Sequence, residues 1–120
     1  MPDKKSAKPR RKARPSGLPK APKPYRKFIV RFPALAGAWE SISKAGADGP
    51  LDARTRRLVK LAAAMGAMRE GAVRAGARKA LAEGVSLEEI EQLIPLVAGT
   101  LGMPSVVACW SWIHDAIDTE

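Results

Sequence analysis

MGAMREGAVRAGARKALA, residues 65–82, is the stretch on which the fold turns. Glycines recur at Gly66, Gly71 and Gly76, and alanines fill most of the gaps, so a helix here lets a neighbour come close. Charges at Arg69, Glu70, Arg74, Arg78 and Lys79 interrupt the apolar pattern. The segment reads as one close-packing helix or as two short helices meeting at a bend.

On its N-terminal side, Asp52 is a good cap for a helix whose apolar stripe is Leu58, Leu61, Ala62 and Met65 and which runs to about Met68. A second helical run, from near Gly71 to Glu83, turns Val73, Ala77, Ala80 and Leu81 inward and stops at Gly84. Ser86 and Glu89 then form a capping box, followed at helical spacing by Ile90, Leu93, Ile94 and Val97. Pro95 inside this run predicts a kink or the first turn of a separate helix. Gly99 and Gly102 bracket its end, and Pro104 starts the last helix. In that helix Val106, Val107, Trp110, Ile113, His114 and Ile117 share one face, and Cys109, Trp112 and Ala116 another. A helix apolar on both sides needs cover, and subunit association supplies it.

Further upstream, Pro33 suits a first helical turn, and Leu35, Ala38, Trp39 and Ile42 give a helix of about a dozen residues that Gly46 ends. Phe28 to Phe32 (FIVRF) is read as an extended arm packing on the body or on a neighbouring subunit. Residues 1–27 are rich in Lys, Arg and Pro, with almost nothing apolar to bury, and are read as a disordered tail. The domain expected to follow spans residues 28–120: all-α, about five helices, short connections and a central antiparallel helical hairpin.

Charge is segregated along the chain. Of 21 Lys and Arg residues, 12 lie in the first 31 positions against one acid, Asp3; the other 89 residues hold nine basic and 11 acidic side chains. The net charge of +9 therefore belongs to the N-terminal segment. Such a segment binds phosphates without sequence preference, because residues 1–27 hold a single aromatic, Tyr25, which offers no stacking platform. A weak, non-specific nucleic acid or another acidic partner is one expectation; a merely solubilising extension is the other. One cysteine, Cys109, excludes an intrachain disulfide. No window is apolar enough to span a bilayer, and no secretory h-region is present, so no membrane association and a cytoplasmic location are expected.

With the helices placed, ARKALAEGVSLEEIEQLI (77–94), TLGMP (100–104) and ACWSWIHDAID (108–118) resemble, in order and spacing, the carboxymuconolactone decarboxylase-like, or alkylhydroperoxidase D-like, family. Met103 takes the aromatic position of the family's Gly-aromatic-Pro signature. The resemblance covers residues from about Leu51 to Asp118 and implies an all-α homo-oligomer, a trimer or hexamer. It also implies where chemistry would lie. The peroxidase branch has Cys-x-x-Cys, then a His, with a Glu one helix earlier; those positions here are Arg69, Ala72, Gly76 and Arg57. Another branch has His-x-His, here Arg74 and Gly76, after a Glu that corresponds to Glu70. Only Glu70 matches.

Peroxide reduction needs an attacking and a resolving thiol, and Cys109 is alone. The single histidine, His114, is also in the last helix, and the stretch around Glu70 has too few donors to hold a metal. No cofactor is expected. Two readings remain. In one the chain is an atypical lyase or oxidoreductase relative, with Glu70 as acid/base, desolvated by its small neighbours, and Arg74 and Arg78 binding a carboxylate substrate. In the other it is a non-catalytic oligomeric scaffold, and Glu70 merely pairs with Arg74 at i+4.

Overall fold

The computed structural model describes residues 23–118. All six elements among them are helices: α1 (Lys23–Arg31), α2 (Pro33–Ala47), α3 (Ala53–Gly66), α4 (Glu70–Ala82), α5 (Leu87–Leu101) and α6 (Met103–Asp118). The chain divides into two compact units, one ending at Gly49 and one beginning at Pro50.

In the first unit α1 corrects the expectation of an extended arm. Lys23 to Lys27, assigned to the tail, begin a helix that takes in Phe28 through Arg31. Its proline, Pro24, falls in the first turn, where an amide hydrogen has no intrahelical acceptor to miss. Phe28 and Phe32 then stack at i, i+4 with ring centroids 5.1 Å apart, and the Arg31 guanidinium lies 4.7 Å above the Phe32 ring. The prolines of residues 1–22, and the tail assigned there, lie outside the described residues. Pro33 opens α2 as expected, but the helix runs past Gly46 to Ala47. Leu35, Trp39 and Ile42 form a stripe on α2 that is exposed throughout.

The second unit is a four-helix bundle. α3 packs on α4, α4 on α6, α6 on α5 and α5 back on α3, closing a ring. Asp52 caps α3, accepting the Thr55 amide at 2.8 Å. The helix does not reach Met68: it ends at Gly66, and Met68 adopts φ 53°. The Arg69 amide donates to Ala64 O and the Met68 amide to Met65 O, a Schellman closure with a non-glycine residue in the left-handed position. So residues 65–82 are two helices meeting at a turn. α4 ends the same way, with Gly84 at φ 93° and Val85 donating to Ala80 O.

α3 and α4 form the antiparallel hairpin. Arg57 near the start of α3 meets Glu83 just past the end of α4, and Leu61 meets Gly76 at mid-length. The close approach comes from the inner face of α4: Val73, Gly76, Ala77 and Ala80, all small and all buried. A Cβ on Gly76 would sit 3.1 Å from Leu61 Cδ1. Leu81, expected on this face, is 36% exposed, because the buried arc advances through 73, 76, 77 and 80 and leaves 81 at its edge.

The capping box on α5 is present in full. The helix continues through Pro95, which removes the separate-helix alternative; Pro95 lies on the exposed side, where the carbonyl it leaves unpaired can be hydrated. In α6 the buried stripe is Val106, Cys109, Ile113 and Ala116. Sequence periodicity put Val107 and Trp110 with Val106 and Ile113, but both are exposed. They are each one position from a core residue, so the helix turns them about 100° away. The core is completed by Leu61, Met65, Val85, Ile90 and Leu93, with Trp112 and Ile117 partly buried against it. No described helix is long and apolar enough to cross a membrane.

Candidate functional site

Glu70 opens α4, immediately after the strained turn at Met68. Its carboxylate accepts from Arg74 Nε at 3.0 Å, one helical turn on. Arg74 Nη1 also donates to Asp115 on α6, so a single guanidinium joins the two helices. These hydrogen bonds hold the Arg74 pKa above its ordinary value, Asp115 contributing most and Glu70 next. The Glu70 side chain is 52% exposed. The carboxylate is thus charge-paired and half exposed, not enclosed by its small neighbours. Arg78 stands one turn beyond Arg74 on α4, partly buried.

The sequence thus brings Glu70 and Arg74 together as expected. It gave no sign of Asp115, whose pairing crosses between helices 41 residues apart. His114 does not join this cluster. Its Nε2 lies 2.6 Å from Glu91 Oε2 on α5, and its ring stacks on Trp110 with centroids 4.5 Å apart. The acids near it in sequence, Asp115 and Asp118, are not the ones it uses.

Cys109 is fully buried beneath the α3–α4 turn. Its thiol donates weakly to Met65 O at 3.8 Å and lies 4.0 Å from the Met68 sulfur. Burial pushes its pKa up, away from the thiolate form that nucleophilic or redox chemistry requires. Among the described residues no three His, Cys, Asp or Glu side chains gather in a way that could hold a metal ion.

Comparison with protein families matches residues 33–115 to the carboxymuconolactone decarboxylase family. The chain belongs to this family. No curated protein and no solved structure matches it. The match extends the resemblance seen in the sequence to include α2, which the motifs alone did not reach.

The positions to which the resemblance assigns reactive residues lie on α3, on α4 and in the turn between them. Arg69 precedes α4 and Ala72 lies in its first turn, both exposed. Arg57 forms a two-pronged pair with Glu83, Nε to Oε1 at 2.8 Å and Nη2 to Oε2 at 3.1 Å. Gly76 is buried under Leu61, so the space a larger side chain would need is already filled.

Proposed function

We propose that this family member is a non-catalytic, homo-oligomeric helical scaffold. One observation carries the reading: Glu70, the only residue that matches an expected reactive position, is half exposed and tied to Arg74, which also holds Asp115. A carboxylate paired with a guanidinium that also bridges to a second helix serves to join elements, and it faces solvent rather than an enclosed substrate site.

Self-association draws support from two exposed apolar surfaces. One is the Leu35, Trp39 and Ile42 stripe of α2; the other, on α5 and α6, comprises Leu96, Met103, Val107 and Trp110. Trp39 is 57% exposed and Trp110 48%. Aromatic residues in such patches are frequent interface anchors.

The test pairs an assay with hydrodynamics. Purified protein is incubated with carboxymuconolactone, and separately with a peroxide plus a dithiol, while sedimentation measures the assembly. The expected result is no turnover above background and a mass above that of one chain, reduced by Trp39→Glu or Trp110→Glu. Turnover that Glu70→Gln abolishes would overturn the scaffold reading. It would instead favour an atypical enzyme with Glu70 as acid/base and Arg74 and Arg78 holding the substrate.

A second reading concerns the N-terminal segment, whose 12 cations against one acid favour contact with nucleic acid or another polyanion. It is compatible with the scaffold, since tails brought together in an oligomer act with avidity.

A further inference from the structure

A second basic surface lies within the folded bundle. A pocket of about 240 Å³ is lined by Ala53, Arg54, Arg56, Arg57, Lys60 and Glu83. Four cations thus meet one carboxylate in a concave surface, all four from two turns of α3.

The existing pairings show which charges are committed. Arg57 and Glu83 neutralise each other, and Arg57 is only 16% exposed, so this pair forms a fixed part of the wall. Arg54 is held by Glu89 and by Gly84 O at 3.1 Å. Arg56 is different. It donates through Nη1 to Leu51 O at 2.6 Å, which anchors it while using one of its five N–H donors. It forms no ion pair among the described residues. Lys60, four positions on, has no hydrogen bond or ion pair among them either; its nearest relation is a longer-range attraction to Glu83. The pocket therefore has an anchored wall and two cations with donors to spare.

Pairing to other elements accounts for Arg54 and Arg57, but not for Arg56 and Lys60. Cations in the first turn of α3 oppose the helix dipole, and that turn has no acid within it. The helix end itself is satisfied by Asp52, so the feature in question is the side-chain pocket. A local choice that works against folding is a common mark of a binding surface.

The geometry points to a phosphate-binding site formed by Arg56 and Lys60 against the Arg57–Glu83 pair. A phosphate matches the two open cations in charge, presents several acceptor oxygens to donors arriving from different side chains, and has a size suited to a small pocket. Its source is either a small phosphorylated molecule or the backbone of a nucleic acid. The site does not depend on whether Glu70 is catalytic, because it lies on other residues of the bundle.

The experiment is a residue-resolved NMR titration of the full chain with inorganic phosphate and, separately, with a short oligothymidine. The N-terminal segment also attracts anions, so amide shifts are followed at residues 54–60 and 83 apart from those at 1–31. The expected result is a saturable shift at residues 54–60 and 83, weakened at least about tenfold in the Arg56→Gln, Lys60→Gln double variant. Both side chains are on the surface, and an otherwise unchanged spectrum verifies that the variant is folded. Saturation by phosphate assigns a small phosphorylated ligand; saturation by the oligonucleotide alone assigns a nucleic-acid backbone. Shifts confined to residues 1–31, or shifts at α3 that the double variant leaves intact, would overturn the proposal.

Discussion

Gly76 stands where the resemblance implies a histidine, and packing decides what that position can hold. A Cβ there meets the flexible end of Leu61 at 3.1 Å, which a small rotation can relieve. Gly76→Ala is therefore expected to leave stability within about 1 kcal/mol of the parent, a gain in helix propensity offsetting mild crowding. Gly76→His, which places at this position the side chain that the resemblance implies there, is expected to cost roughly 1–3 kcal/mol by overpacking against Leu61. Urea unfolding of the three proteins checks both. Cys109 makes a parallel case. With its thiol fully buried and its pKa raised, it should stay unlabelled by a thiol-reactive dye in the native state and react rapidly in urea. Fast native labelling would reopen a chemical role for this cysteine.

At the scale of elements, three carboxylates fix helix ends or join helices, and each has a depressed pKa. Asp52 is lowered chiefly by the Thr55 amide, Glu83 by the Arg57 hydrogen bond, and Glu89 by the Ser86 amide. Folded-state values below the unfolded ones, which lie near about 4, mean that the unfolded chain binds more protons in acid. Their stabilisation is thus complete above about pH 5 and is lost as pH falls through the unfolded values toward the folded ones. Unfolding midpoints in urea should drop between about pH 5 and pH 3, and Glu83→Gln should flatten that drop. These contacts also mark what was legible in sequence. Asp52, Ser86 and Gly84 act through neighbours within a few positions, so local pattern sufficed. The Arg57–Glu83, Arg74–Asp115 and His114–Glu91 pairs join different helices, and no local spacing encodes them. The α1 helix is masked in the sequence for another reason: a proline-rich composition argues against helix, yet Pro24 sits in the one turn that tolerates it. In α6 the apolar pattern covered nearly the whole circumference, so periodicity could not tell Val107 and Trp110 from the core.

For the whole molecule, the concentration of positive charge in the first 31 residues is the property that most shapes its behaviour toward partners. The first 31 residues hold 12 cations and one acid, whereas the rest of the chain is slightly acidic. Long-range attraction of a polyanion is therefore set by the N-terminal segment, and the α3 pocket adds at most a local contact. If the segment contacts nucleic acid through phosphates alone, affinity is governed by counterion release. Neutralising about six to ten phosphates would lower duplex affinity by roughly 10³–10⁵-fold between about 50 and 200 mM salt. Sequence should matter little, since Tyr25 is the only aromatic among residues 1–27 and a base-reading platform needs several. Fluorescence anisotropy with two unrelated duplexes of equal length, across that salt range, measures both quantities. Parallel steep slopes with equal affinities would match phosphate binding by the cationic N-terminal segment. A shallow slope, or a clear preference for one duplex, would mean that the folded helices read the nucleic acid and that the segment is not the main contact.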